Sequence, residues 1–165
     1  MRALERSLRE AKERTGCRVI AYSVQHDHVH LLVEAEDSRA LGCGMKSIGA
    51  RIARAVRRVF GGRGPVLTER YHQRVVRSPR EVRYVLAYVL LNARKHAAAL
   101  GRKVMKRVTS VDPASSGRWF KDWARALPPA PDEPAVAAPR TWLLRVGWRR
   151  HGLIDPSEIP GARRR

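Results

Sequence analysis

The sequence predicts an α+β fold in which helices pack on an antiparallel sheet. Two runs rich in β-branched and aromatic residues, 18–24 and 28–34, are separated by the short polar turn Gln25-His26-Asp27, which is typical of a hairpin. Segments on both sides repeat apolar residues at intervals of three and four, as amphipathic helices do. With 44% hydrophobic residues among 165, the chain has enough apolar material for a core, and we expect it to fold.

Two helices are predicted to flank this hairpin. The first covers residues 3–15, where leucine and alanine recur at helical spacing and Gly16 follows. The second is long and begins after Asp37 and Ser38, either of which can cap it. Its apolar positions are Leu41, Met45, Ile48, Ile52, Ala55 and Val59. Its other side carries four arginines, here called the arginine ridge: Arg51, Arg54, Arg57 and Arg58.

The pattern changes twice beyond residue 60. The glycine-rich run 61–65 breaks the chain, and residues 70–77 predict a third strand. The run 78–81, Ser-Pro-Arg-Glu, then predicts a helix start, with serine at the cap, proline in the first turn and glutamate completing a capping box. This third helix is predicted to extend to about Leu100, ahead of Gly101.

The last third of the chain is predicted to hold a linker and a small appended element. Residues 127–139 are rich in proline and alanine, which indicates a linker between a domain over 1–126 and a basic, aromatic element over 140–165. The first part of that element is expected to be helical. Two interpretations of its side chains stay open: they recognise DNA, by stacking on unpaired bases or by contributing to the choice of hairpin, or the tryptophans cover the core. The side chains concerned are Trp142, Trp148, Arg145, Arg149 and Arg150.

The charge balance predicts a nucleic-acid partner. Lysine and arginine number 34 against 15 aspartate and glutamate, which gives a net charge of +19. Such an excess favours phosphate binding, because each neutralised phosphate releases condensed counterions. A ribosome-associated basic protein is a remoter alternative. No apolar run approaches the roughly 20 residues of a membrane span, and the N-terminus is charged at once, so we expect a cytoplasmic protein of the bacterial cytosol or nucleoid without membrane contact.

His28-Val29-His30 lies in the second predicted strand, where side chains alternate between the two faces. Both imidazoles should therefore project from one face, roughly 7 Å apart, while Leu31 and Val33 point into the core. Two such imidazoles can coordinate one metal ion together with a third ligand. A strand face that is merely polar is the alternative.

The third predicted helix offers partners for the histidine pair. Tyr84, Tyr88, Asn92 and Lys95 follow one another at intervals of four, four and three, so they form a stripe displaced from the apolar one. A tyrosine beside an amide and a lysine suits a role that faces a site. A surface tyrosine that packs on a neighbouring strand is the alternative.

These residues resemble the single-tyrosine HUH transposases. Within that family the chain looks most like the REP-associated tyrosine transposases, which act on palindromic repeats, and the resemblance covers about residues 2–98. The segments that carry it are His28-Val29-His30-Leu31-Leu32-Val33-Glu34, Arg70-Tyr71-His72 and Tyr88-Val89-Leu90-Leu91-Asn92-Ala93-Arg94.

The resemblance implies a fold, namely a ferredoxin-like antiparallel sheet with packed helices, to which this chain adds a C-terminal helical extension. In the family a first strand precedes the first helix, and here Met1 leads straight into the helix. Three explanations stay open: the true start lies upstream, another segment fills the gap, or this copy is a decayed relic. A missing strand would expose unpaired edges on its neighbours.

The resemblance also implies a site and a reaction. His28, His30 and Asn92 would bind Mg²⁺ or Mn²⁺, and Tyr88 would attack a DNA phosphate, since Tyr84 has no Asn or Gln four residues later. The result would be a 5′-phosphotyrosine and a free 3′-OH, with no nucleotide cofactor.

The partners implied are single-stranded or hairpin DNA and a second copy of the chain in a homodimer. The arginine ridge and Lys95 are expected to bind the DNA. The main alternative is a degenerate, non-catalytic DNA- or RNA-binding protein.

Overall fold

The α+β prediction is confirmed by a computed structural model, which describes residues 2–11, 13–14, 16–101 and 111–161. The strands β1 (Glu13–Arg14), β2 (Cys17–Val24) and β3 (Val29–Ala35) form one sheet in the order β1-β2-β3, with β1 antiparallel to β2. None of the described helices is both long and apolar enough to cross a membrane. In chain order the elements are α1 (Arg2–Ala11), β1 (Glu13–Arg14), β2 (Cys17–Val24), β3 (Val29–Ala35), α2 (Ser38–Phe60), α3 (Pro79–Leu90), α4 (Asn92–Ala99) and α5 (Trp142–Arg145), with 3-10 helices at Ser116–Trp119 and Gly147–His151.

The chain divides into two units. Unit 1 comprises Met1–Ile20, Val33–Val75 and Pro134–Ala138. Unit 2 comprises Ala21–Leu32, Val76–Glu133 and Pro139–Arg165. The predicted metal ligands and both tyrosines of α3 therefore belong to unit 2, whereas the arginine ridge belongs to unit 1.

Unit 1 is built around the packing of α1 against α2. Leu8 of α1 and Ile48 of α2 are buried, as the apolar spacing predicts. Asp37 caps α2, because its carboxylate accepts a backbone N–H of the first turn at 2.7 Å. Gly44 lies where α2 approaches β2, since a Cβ at this position would come within 2.6 Å of the Cys17 Sγ.

Segments from the second half of the chain complete the hydrogen bonding of β2. In unit 1 the Ala137 N–H donates to the Val19 carbonyl at 2.8 Å. In unit 2 the Ser116 hydroxyl accepts the Tyr22 N–H at 2.9 Å and lies 3.3 Å from the Tyr22 carbonyl oxygen. These bonds satisfy backbone groups that an open strand edge would leave unpaired.

The predicted third strand is wrong. Residues 61–77 contain neither helix nor strand, and Tyr71 and Val75 are exposed. A β-branched composition favours a strand only where another strand can pair with it, and no described segment pairs with residues 70–77. Val59, predicted as an apolar contact of α2, is also exposed, because it lies in the last turn of that helix.

The third predicted helix is interrupted. It starts as predicted, with both hydrogen bonds of the capping box present, but α3 ends at Leu90 and α4 begins at Asn92. Leu91 leaves the helical conformation, with φ −118° and ψ 22°. No glycine or proline marks this break, so helix propensity gave no sign of it. The first helix also ends earlier than predicted, at Ala11.

Strand β3 buries the face that carries His30, contrary to prediction. Leu32 and Glu34 are buried on this face, whereas Leu31 and Val33 are half-buried on the other. The Glu34 carboxylate tolerates burial because Arg18 of β2 lies 3.5 Å from it.

The C-terminal elements belong to the core of unit 2. Both α5 and the 3-10 helix Gly147–His151 pack against α3. Trp148 and Ile154 are fully buried. Arg83 of α3 forms a bidentate ion pair with Glu158, in which two guanidinium nitrogens lie 2.5 and 2.7 Å from the two carboxylate oxygens. The tryptophan at position 148 therefore has the core role that was one of the two open interpretations.

Candidate active site

The two predicted histidine ligands converge. His28 lies just before β3 and His30 lies within it, so the alternation of the strand brings both rings to one face. Their Nε2 atoms are 3.1 Å apart, and the rings meet edge to face with centroids 4.6 Å apart. Side chains that leave the backbone about 7 Å apart thus turn toward one point.

Asp27 orients the first of these histidines. The His28 Nδ1–H donates to the Asp27 carboxylate at 2.6 Å, and this hydrogen bond holds the pKa of Asp27 below its ordinary value. An N–H at Nδ1 leaves the Nε2 lone pair of His28 available as a ligand. This role of Asp27 was not predicted, although a carboxylate next to a candidate metal ligand is a usable signal.

Tyr88 reaches the histidine pair from α3. Its hydroxyl lies 3.4 Å from the His30 Nε2, and the two rings meet edge to face with centroids 5.0 Å apart. Tyr84, one turn earlier, stacks on Tyr88 at 6.4 Å and is half exposed. Of the two tyrosines weighed in the sequence, the one at position 88 is therefore the one with a hydroxyl beside a candidate ligand atom.

Lys95 of α4 completes the surroundings of the tyrosine. Its Nζ lies 4.4 Å from the centroid of the Tyr88 ring, within the range of a cation–π contact. The pKa of His30 is lowered, first by burial and then by the positive charges of His28, His96 and Lys95. Both effects favour the neutral imidazole of His30, which is the form that binds metal.

Asn92 occupies a different environment from the other predicted ligands. It is the first residue of α4, follows the break at Leu91, and is fully buried. Neither its amide oxygen nor its amide nitrogen has a hydrogen-bond partner among the described residues. A buried amide without a partner is unusual and points to a group that the protein atoms do not supply.

The donor set fits a divalent cation. Two ligand atoms about 3 Å apart suit a right angle at an ion about 2.1 Å from each, and the Nε2 separation of 3.1 Å matches this. Among the described residues, no three His, Cys, Asp or Glu side chains are grouped to hold a metal. A third protein ligand would therefore have to be of another type, and the unpartnered Asn92 amide is the candidate.

The arginine ridge is uneven. In unit 1, Arg51 is paired with Glu10 at 2.6 Å, and Arg57 donates to the Gly64 carbonyl. Arg54 and Arg58 are exposed, and neither has a partner in the described part of the chain. Two of the four predicted phosphate contacts are thus free to meet a ligand.

The fold and this arrangement define the class of protein. The chain is strongly basic, as nucleic-acid-binding proteins are. It also has a helical tyrosine beside two converging histidines, and a tyrosine in such surroundings can serve as a nucleophile toward phosphodiesters.

A comparison with protein families is more specific. The model of the family described as "Transposase IS200 like" matches residues 2–89, which is more than half of the 165, and the chain therefore belongs to this family. Neither a search of curated proteins nor one of solved structures finds a match. Membership indicates a transposase-type protein that binds and processes DNA. The matched residues include His28, His30 and Tyr88 and end before Asn92 and Lys95.

Proposed function

We propose that this protein is a metal-dependent endonuclease and strand transferase for single-stranded DNA, with Tyr88 as its nucleophile. The observation that carries the proposal is the Tyr88 hydroxyl 3.4 Å from the His30 Nε2, which itself lies 3.1 Å from the His28 Nε2. A nucleophile next to a pair of convergent ligands is the arrangement that phosphoryl transfer to a side chain requires.

The reaction conserves one phosphodiester bond at each step. The Tyr88 oxygen attacks the phosphorus, the bond from phosphorus to the 3′ oxygen breaks, and the phenolic proton is lost to solvent while the leaving 3′ oxygen gains one. The product is a 5′-phosphotyrosine and a free 3′-OH. Because no bond energy is lost to hydrolysis, the 3′-OH of the same or another strand can attack the link and release Tyr88, so no nucleotide cofactor is needed.

The histidines and Asn92 would hold Mg²⁺ or Mn²⁺. A bound cation polarises the phosphate and stabilises the charge that develops on its oxygens. Two features of this chain would favour its binding: the Asp27 carboxylate can accept the Nδ1–H of His28, and burial lowers the pKa of His30. Lys95, whose ammonium lies over the Tyr88 ring, would supply a positive charge near the nucleophile and a contact for the phosphate.

The substrate proposed is single-stranded or hairpin DNA, and the REP-like residues of the sequence favour palindromic repeats. We also propose a homodimer. In unit 1, Phe60, Leu67 and Val75 are exposed apolar side chains around a segment without regular structure, and a second copy would cover them.

A hairpin oligonucleotide labelled separately at each end tests the proposal. With Mn²⁺, the fragment on the 5′-phosphate side should migrate covalently attached to the protein, and the other fragment should be released with a 3′-OH. EDTA should stop both. Release of both fragments without attachment would assign a hydrolytic nuclease, and tight binding without cleavage would assign the non-catalytic DNA-binding protein.

A further inference from the structure

The C-terminal element contains two tryptophans with opposite environments. Trp148 is fully buried, and its indole N–H donates to the Leu144 carbonyl at 3.1 Å. Trp142, six residues earlier, is 49% exposed, and its indole N–H has no partner in the described part of the chain. Packing in the core therefore explains the presence of Trp148. It does not explain Trp142, whose exposed ring surface can contact a ligand.

The exposed ring is held in place by its neighbours. A Cβ at Gly147 would come within 2.6 to 2.9 Å of three atoms of the Trp142 ring, so the ring rests directly on the backbone of the adjoining 3-10 helix. The Arg150 guanidinium lies 4.9 Å from the ring centroid. A ring fixed in this way loses little conformational freedom when a ligand stacks on it.

The surroundings of this ring are positively charged. Arg145 and Arg150 are exposed, and neither forms an ion pair with any described residue, whereas Arg149 is paired with Asp122 at 2.8 Å. A fixed indole with the Arg150 guanidinium near its ring and the exposed Arg145 on the same helix combines the two properties of single-strand binding sites, namely a surface for base stacking and charges for the adjacent phosphates.

We propose that Trp142 and Arg150 form a stacking site for one unpaired base of single-stranded DNA, separate from the candidate active site. The proposal rests on the proposed function for its choice of DNA as ligand, and it requires no cleavage. The guanidinium alone would suit any phosphate, but the uncharged indole adds a preference for a base that is free of its partner strand.

The test pairs a protein variant with an abasic oligonucleotide. Binding of the full chain to a fluorescent single strand is measured by anisotropy without divalent cation, so that no strand is cut. Replacing bases one at a time by abasic sites should reveal one position at which the parent loses about 5- to 100-fold in affinity. Trp142→Ala should bind the intact and that abasic strand equally, and Trp142→Phe should retain part of the difference.

Val146→Ala is the matched control, because Val146 is an exposed apolar residue of the same element, and it should behave like the parent. Circular dichroism and the melting temperature verify that each variant is folded. Parent-like abasic responses in a folded Trp142→Ala would overturn the proposal, and so would tighter, Trp142-dependent binding of RNA of the same sequence, which would assign an RNA site instead.

The two proposals fail separately. A protein that forms no covalent adduct but shows a Trp142-dependent abasic response refutes the proposed catalysis and supports the stacking site. If the parent cleaves DNA with a covalent adduct but Trp142→Ala shows the parent's abasic response, the proposed catalysis is supported and the stacking site is refuted.

Discussion

Asn92 is the residue whose chemistry is least satisfied by the fold. Its amide is fully buried and lacks a hydrogen-bond partner among the described residues. Leaving a polar group in this condition costs about 1–3 kcal/mol. A role in metal binding would account for such a cost. A role in packing alone would not, because an apolar side chain has no polar group to satisfy.

Substitution of this residue should separate stability from metal binding. We expect Asn92→Leu to raise the free energy of unfolding by about 1 kcal/mol in the absence of divalent cations, because an unpaired amide is removed. The same variant should bind Mn²⁺ more weakly than the parent does. It should still bind Mn²⁺ more tightly than His30→Ala does, since both imidazoles remain in Asn92→Leu. Denaturant unfolding and Mn²⁺ titration measure the two quantities.

Asn92→Asp is the control, because it keeps an oxygen ligand and should retain Mn²⁺ binding. If Asn92→Leu destabilises the protein and leaves Mn²⁺ affinity unchanged, Asn92 has a structural role and is not a ligand.

Single residues were predictable where the chemistry is local. The spacing of His28 and His30 placed both rings on one face, and the structure brings Tyr88 to them, as the resemblance led us to expect. The role of Asp27 was missed because a residue in a turn has no periodicity to reveal where its side chain points.

Helix α3 carries the tyrosine, and the C-terminal segment holds this helix. Arg83, five residues before Tyr88, donates to the Glu158 carboxylate and to the carbonyls of Gly152 and Leu153. The Arg83 and Glu158 side chains are only 12% and 19% exposed. An ion pair this well shielded and doubly hydrogen-bonded is stronger than a surface pair. The hydrogen bond that Arg83 donates to Glu158 also raises the pKa of Arg83.

Removing this arginine should loosen the element that carries the nucleophile. We expect Arg83→Ala to lower the free energy of unfolding by about 2–4 kcal/mol, because it removes one partner of a shielded, doubly hydrogen-bonded ion pair. Arg80→Ala, an exposed position of the same helix, should change it by less than about 0.5 kcal/mol. Urea denaturation of both variants provides the comparison. Equal effects would mean that the ion pair does not hold the helix.

Elements were predictable at their beginnings more than at their ends. The capping box at Ser78 fixed the start of α3, because its hydrogen bonds link residues three apart. The break at Leu91 has no local signal, and the pair formed by Arg83 and Glu158 links residues 75 positions apart. The predicted third strand failed for a similar reason, since pairing depends on a distant partner that composition does not encode.

The charge of the whole molecule makes DNA binding dependent on salt, and the arginine ridge allows the contributions to be sorted. Arg54 and Arg58 are exposed and have no partner among the described residues, whereas Arg51 is paired with Glu10 and Arg57 with a backbone carbonyl. A phosphate must therefore compete with an existing partner at Arg51 and Arg57 but not at Arg54 and Arg58.

Neutralising the free pair should therefore weaken binding more than neutralising the occupied pair. We expect Arg54→Ala with Arg58→Ala to lower affinity similarly for unrelated DNA sequences and to reduce the salt slope by about one to two. Arg51→Ala with Arg57→Ala should reduce it less. Cleavage at saturating DNA should survive in both. Parent-like salt slopes in both double variants would show that the ridge does not contact DNA.

The central claim about this molecule is that Tyr88 is the attacking group. Mapping the residue that carries the covalent adduct tests this claim most directly. A hairpin oligonucleotide is incubated with Mn²⁺ and the parent, Tyr88→Phe or Tyr84→Phe, and the protein is then digested and the DNA-bearing peptide identified by mass spectrometry. We predict an adduct on Tyr88 in the parent and in Tyr84→Phe, and no adduct in Tyr88→Phe, which should still bind the DNA. An adduct that persists in Tyr88→Phe and disappears in Tyr84→Phe would contradict the assignment and transfer the nucleophile to Tyr84.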